Sequence, residues 1–339
     1  MDAGGRGEDR PAAVPPAVGE VREAVRAGGL FARDRPLLAM ISGGRDSTCL
    51  LDVAVSLLGP RAVRALHVNY GLRPEAAAEE QACRTLCDRL GVGLEVVAAG
   101  AAPRAREGNL QAWARELRYE AAGRVADELD ALVATGHTAS DQAETVLYRL
   151  AVSPGRRALL GMPAAEGRLV RPLLGVTRGQ TAAYCAARGL AFSDDASNDD
   201  PRFARARVRH GLVPALRWVS PAAEANVVRT AQLLRQETEL LDALVDAELA
   251  GRAEVETARL REMAPALARM VVVRLAEQVA GAYVPQAGDR VEELLDLDRR
   301  GGRAELHVGG RVGAVIEGGA LRMVRLPPRG GGSAPAAEG

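Results

Sequence analysis

Leu37-Leu38-Ala39-Met40-Ile41-Ser42-Gly43-Gly44-Arg45-Asp46-Ser47 is the stretch that decides the fold of this 339-residue chain. Five apolar residues in a row suit a strand buried on both faces, and the run stops at a Ser-Gly-Gly turn. A helix pattern comes next, over residues 47–58. A glycine turn between strand and helix is where an open parallel sheet binds ligands, at the carboxyl ends of its strands. Gly43 and Gly44 let backbone approach a phosphate closely. The helix N-terminus offers unpaired N–H groups and partial positive charge, and Ser42 and Ser47 add hydroxyls. Asp46 is out of place in an anion site unless a divalent cation bridges it to the phosphates, which implies Mg²⁺. The pattern is neither G-x-x-x-x-G-K-S/T nor G-x-G-x-x-G, which argues against a P-loop NTPase or a dinucleotide enzyme. The ordinary alternative is a glycine turn capped by Ser47.

Outward from the loop, strand and helix patterns alternate. Strands are expected over 63–68, 94–97 and 131–135, and helices over about 76–90, 110–128 and 140–150. That alternation predicts an α/β fold, a parallel sheet with helices on both faces. After about residue 216 the character changes. Residues 222–250 read as one long amphipathic helix and 255–298 as two further helices. Residues 303–325 alternate like a small antiparallel unit with turns at Gly309-Gly310 and Gly318-Gly319. The expected organisation is a Pro/Gly-rich disordered extension over 1–17, a catalytic domain over 18–216, a smaller helical domain over 217–326 ending in a small antiparallel sheet, and a disordered tail over 327–339.

Composition narrows the partners. Hydrophobic residues make up 47% of the chain, enough for most of it to fold. Forty-four basic residues balance 44 acidic ones, so a nucleic-acid partner must be argued from local patches. The sequence contains no Lys, so phosphate contacts fall to guanidinium and backbone N–H groups. Cys49, Cys83, Cys87 and Cys185 form no C-x-x-C pair, which argues against a zinc site or an iron–sulfur cluster and for reduced thiols in a cytoplasmic protein. The first 20 residues lack an apolar signal segment, and charged residues interrupt every long apolar stretch, so no membrane association is expected.

Further constellations lie downstream. His137, Asp141 and Glu144 come after the fourth strand at i, i+4 and i+7, stacked along one helix face, with Ala143, Leu147 and Leu150 on the apolar side. Two carboxylates there suit an ammonium, and a solvated helix start is the alternative. Arg202, Arg205 and Arg209 make a guanidinium row fit for phosphates, or a row paired with the acidic stretch 194–200.

The loop matches SGGxDS and resembles the PP-loop (N-type ATP pyrophosphatase) superfamily, whose loop cradles ATP while a substrate is adenylated. Four further blocks narrow the resemblance: 67–73 (HVNYGLR), Gly136-His137 through 141–145 (DQAET), Arg171-Pro172-Leu173-Leu174 and Asp195-Ala196-Ser197-Asn198. In this order they resemble the tRNA(Ile)-lysidine synthetase family, over about residues 37–215. The resemblance implies an adenine-nucleotide α-hydrolase-like fold and a ligase using ATP and Mg²⁺. The implied substrates are free L-lysine and the wobble cytidine of tRNA(Ile) with a CAU anticodon. It also implies that residues 42–47, Arg115 and His137 face ATP, with Asp46 holding the metal. Asp46, Asp141 and Glu144 are then the catalytic candidates. Asp141 and Glu144 would meet lysine, with Arg202, Arg205 and Arg209 near the tRNA. An ion pair of Arg115 with Glu116 or Glu120 is the alternative for that residue. The chain resembles the family's shorter architecture, without a further tail domain, and leaves a homodimer open. It departs from the family at Tyr70 (usually His), Ser140 (commonly Asp), Val152-Ser153 (Arg-Gly) and Ala206 (Asn). A PP-loop thiolase and a catalytically silent tRNA-binding paralogue are the rival readings.

Overall fold

Leu37–Met40 form β1, buried on both faces at the centre of a six-stranded sheet. The computed structural model describes residues 14–32, 34–71, 74–99, 110–153, 155–193 and 204–327. Arg202, the block 195–198 and the acidic stretch 194–200 lie outside the described residues, as do Leu72, Arg73, Pro154 and most of both end segments. The chain divides into two compact units at Leu234/Arg235.

In the first unit α1 (Pro16–Ala27) precedes β1, then α2 (Arg45–Leu58), β2 (Val63–Asn69), α3 (Ala76–Leu90), β3 (Gly93–Ala98), α4 (Leu110–Leu129), β4 (Leu132–Ala134) and α5 (Ala139–Val152) alternate. The strand order is β3-β2-β1-β4-β6-β5, where β5 (Ala165–Glu166) and β6 (Leu169–Val170) are a hairpin of two-residue strands. Every other pairing in the sheet is parallel. Period-2 alternation sends Leu37 and Ala39 into one core layer with α1, α2, α3 and α6 (Arg178–Arg188). Leu38 and Met40 enter the other layer, with Ala121, Ala122 and Val125 of α4. The strand order reverses direction at β1 and β4, so their carboxyl ends flank the crevice of the sheet.

The unit continues through α7 (Ala204–Arg207), a π-turn (Val208–Leu212), α8 (Val213–Val219) and into α9 (Ala223–Leu249). In the second unit β7 (Glu254–Glu256), α10 (Thr257–Glu262), α11 (Pro265–Ala280) and α12 (Val291–Arg299) precede β8 (Ala304–Gly309), β9 (Val312–Glu317) and β10 (Ala320–Arg325). These strands form an antiparallel sheet of order β7-β10-β9-β8. Gly318 and Gly319 carry the two positive φ angles that a two-residue hairpin turn needs. Residues 255–298 thus hold three helices rather than two, and β7 opens them as an edge strand.

Candidate active site

The turn after β1 is built for anions. Gly43 takes a φ of +78°, and its carbonyl accepts from the Ser193 N–H at 2.9 Å, which holds the turn open. Gly44 is the N-cap of α2 with extended backbone. The Ser47 hydroxyl donates to Gly44 O at 2.8 Å and lies 3.2 Å from the Ser42 hydroxyl. Ser47 therefore closes the first turn from inside while Ser42 stays exposed. Across the turn, β4 leads into Gly136, where a Cβ would stand 3.0 Å from the Asp46 carbonyl carbon and the Ser47 nitrogen. A cleft of about 830 Å³ opens here, lined by Ser42, Gly44, Arg45, Asp46, His137 and Arg115 among others. That volume lies within the ~300–1,000 Å³ usual for small-molecule sites, and glycine floor, helix N-terminus and guanidinium walls fit a nucleoside triphosphate.

His137 sits one residue before the N-cap of α5, Thr138, so it is not on the helix face with Asp141 and Glu144. Its Nδ1 is 2.8 Å from the Thr135 hydroxyl. Burial pushes the imidazole down to about 4 despite Asp141 nearby, and Arg171, Arg115 and Arg205 add to the shift, so the ring is neutral at physiological pH. Asp141 completes a capping box, accepting the Thr138 N–H at 2.8 Å and its hydroxyl at 2.7 Å. Burial works against its ionisation, yet Arg178 and the Thr138 hydrogen bonds outweigh it and hold the carboxyl below its usual range. Glu144 is buried and accepts from Arg178 Nη1 at 2.5 Å and from Arg209 Nε and Nη2 at 2.9 and 3.2 Å. The two carboxylates do converge, each with a guanidinium partner. Leu150, expected on the apolar side, is 61% exposed, and buried Gln142 instead fills space by bonding Met162.

Asp46 accepts from Arg45 Nε at 3.1 Å and from the Thr181 hydroxyl. Among the described residues no three His, Cys, Asp or Glu side chains gather as a metal site. Asp46 is thus a single carboxylate beside an anion cradle, which fits an Mg²⁺ whose other ligands are phosphates and water. Arg115 lies over the Tyr119 ring at 4.8 Å on the cleft wall. Arg205 is exposed, and Arg209 is the member of the predicted row that reaches the carboxylates.

The family PP-loop domain matches residues 20–216. A tRNA(Ile)-lysidine synthase of Salinispora arenicola is 37% identical over 89% of this chain and 95% of its own length. The chain belongs to the tRNA(Ile)-lysidine synthase family of PP-loop proteins. The family member of Pseudomonas fluorescens is 40% identical over 61% of this chain, which spans about half (48%) of that relative's length. The one of Thermus thermophilus is 37% identical over 87% of this chain and 57% of its own. A solved U34-tRNA thiolase from Methanococcus maripaludis, at 18% identity, has a TM-score of 0.55 over 65% of this chain and 79% of its own, a likeness of fold.

Two of the positions where this lysidine synthase family member departs from the pattern, Tyr70 and Ser140, have local explanations. Tyr70 donates its hydroxyl to Ala114 O at 3.0 Å and meets Trp113 edge-on, tying β2 to α4. Ser140 is not the helix cap, a role Thr138 takes; its hydroxyl accepts the Arg178 N–H at 3.3 Å. Ala206 is buried where an amide is usual. Val152 is exposed, and nothing in the structure explains that change. Sequence reasoning missed Arg178, Thr181 and Ser193. For the first two a signal existed: Thr177 and Gln180 form an S/T-x-x-E/Q capping box that places Arg178 at the first turn of α6.

Proposed function

We propose that this chain uses ATP to adenylate the wobble cytidine of tRNA(Ile) bearing a CAU anticodon and then joins lysine to it, forming lysidine. The observation that carries the reading is the juxtaposition in one cleft of the loop 42–47 with Asp141, whose carboxylate converges with that of the buried Glu144 on Arg178. In the first half-reaction the cytidine C2 oxygen bonds to the α-phosphorus and pyrophosphate leaves. In the second, the lysine ε-nitrogen bonds to C2, the C2–O bond breaks, AMP leaves and the amine loses a proton.

The chain's groups have matching work. Backbone N–H groups at 43–47 and the α2 terminus receive phosphate oxygens, with Arg45 and Arg115 as guanidinium walls. Asp46 would hold Mg²⁺, which supplies charge neutralisation to the phosphates when bound. Neutral His137, fixed through Nδ1 by Thr135, presents its other nitrogen as a hydrogen-bonding group toward the nucleotide. Asp141 and Glu144 attract the lysine ammonium. Asp141, the member of the pair on the cleft wall, is the nearer proton acceptor, a weak base with its capping bonds in place, while buried Glu144 already accepts from Arg178 and Arg209.

For the tRNA, residues 201–223 carry five arginines and no acidic residue, and Trp218 within them is 89% exposed. Guanidinium groups interleaved with an open aromatic suit an unpaired nucleotide. The test is pyrophosphate and AMP release with ATP, lysine and CAU-anticodon tRNA(Ile). Lysine-dependent AMP release with lysine incorporated into the tRNA is expected. Dependence on a sulfur donor would assign a thiolase instead, and silence with retained tRNA binding would assign a non-catalytic paralogue.

A further inference from the structure

Arg178 sits where three carboxylates meet. Its Nη1 reaches Glu144 at 2.5 Å, its Nη2 bonds Asp141, and its Nε lies 3.8 Å from Asp46 Oδ2. Asp46 belongs to the phosphate loop, whereas Asp141 and Glu144 belong to the first turns of α5. One planar side chain therefore spans the nucleotide end and the amine end of the cleft. Its own backbone is fixed as well. Arg178 is the first residue of a helix closed by the Thr177–Gln180 capping box, and its N–H donates to Ser140 Oγ at 3.3 Å. One turn on, Thr181 donates to the same Asp46. The guanidinium is about one-fifth exposed and the Glu144 side chain 4%, so neither is satisfied by solvent alone.

A buried carboxylate without a cation either protonates or swings toward water. Buried Glu144 and half-buried Asp141 and Asp46 converge here, and a forked guanidinium with several donors in a plane can serve all three together, whereas a lysine ammonium is a point charge. We propose that Arg178 is the positioning residue that joins the two halves of the site. It holds Asp141 and, together with Arg209, Glu144 aimed for the incoming amine while tying them to Asp46 of the phosphate loop. This inference rests on the lysine-binding reading given above. It separates Arg178 from the groups that would touch substrate: its removal should harm amine capture more than nucleotide binding, because Asp46 keeps Arg45 and Thr181.

The experiment uses the full chain with R178A and R178K, measuring KM for lysine and for ATP separately between pH 6 and 8. In R178A the lysine KM should rise on the order of tenfold or more, one arginine–carboxylate contact or better, with ATP KM changed by less than about threefold. Without Arg178, burial acts on Asp141 against only Arg209 at 4.0 Å, His137 and the Thr138 hydrogen bonds, so its carboxyl titrates higher and lysine capture weakens toward pH 6. The wild-type lysine KM should not show that acid limb. Millimolar guanidinium should restore part of the R178A loss, and R178K should recover only part of it. Parallel rises in both KM values with no acid limb and no rescue would reduce Arg178 to a structural salt bridge, as would wild-type behaviour of R178A. Should R178A fail to fold by thermal melting, the KM split and the acid limb are read in R178K. Failure of the underlying reading looks different: wild type itself then shows no lysine-dependent AMP release.

Discussion

Gly136 and Gly123 are two glycines with opposite expectations. A Cβ at Gly136 would press at 3.0 Å on the backbone of Asp46 and Ser47, atoms that cannot rotate away. G136A should displace the phosphate loop and raise the KM for ATP about tenfold, near 1.4 kcal/mol, with the lysine KM less affected. At Gly123, exposed within α4, a Cβ meets nothing within 4 Å. G123A should leave both KM values alone and stabilise the fold by about 0.5–1 kcal/mol, since alanine is the better helix former. Steady-state kinetics and melting of the pair check this. Equal kinetics in G136A and wild type would show that the loop does not depend on that close approach. His137 makes a related point about residue-level reading: sequence marks the residue, but its neutrality comes from burial and neighbouring arginines that only the fold assembles.

The run 204–219 shows how much of an element a sequence carries. Arginines at i, i+3 and i+7 predict one face, yet the π-turn at Val208–Leu212 adds a residue to the turn and rotates α8 relative to α7. Arg209 is thereby on Glu144 while Arg205 is exposed. Trp218 and Val219, at the end of α8, are 89% and 75% exposed, a poor outcome for apolar side chains without a partner. A tRNA base stacked on Trp218 is worth about 1–3 kcal/mol. W218A should weaken tRNA binding by roughly tenfold or more in a filter-binding titration, with ATP-binding affinity unchanged. Unchanged tRNA affinity together with loss of a dimer by sedimentation would give this patch to a second copy of the chain. The long periodic pattern of α9 and the unbroken apolar run of β1 before its glycine turn were legible in the sequence. The β5–β6 hairpin was not, because two-residue strands carry no period; the buried Arg171 donates to Pro163 O beside them. The site divides in the same way: residues 42–47, Asp141 and Glu144 were readable as motifs, while for Arg178 the capping box marks only its place at a helix start, and its meaning lies in three contacts distant in sequence.

Two separate cores organise the whole molecule. The first unit buries both faces of its central strand β1, and the second buries Val271, Val272, Leu275 and Leu294 against Ile316 and Leu321. The helix α9 lends Val228 to a small cluster with Ala139 and Ala143, and Val245 and Leu249 to the second core. The expected boundary at 216/217 tracks the change of sequence pattern, whereas the compact units part at Leu234/Arg235, inside that helix. Each core is large enough to unfold as its own cooperative block, so calorimetry should resolve two transitions. The nucleotide cleft draws all of its lining from the first unit. ATP at 100 times its Kd should therefore raise one transition, by about 2.7 kcal/mol of added stability, and leave the other in place. L275A removes a fully buried side chain from the second core and should lower that other transition by about 2–5 kcal/mol. Its ATP-dependent shift should match wild type. A single transition, or ATP raising the same transition that L275A lowers, would show that the two cores unfold as one.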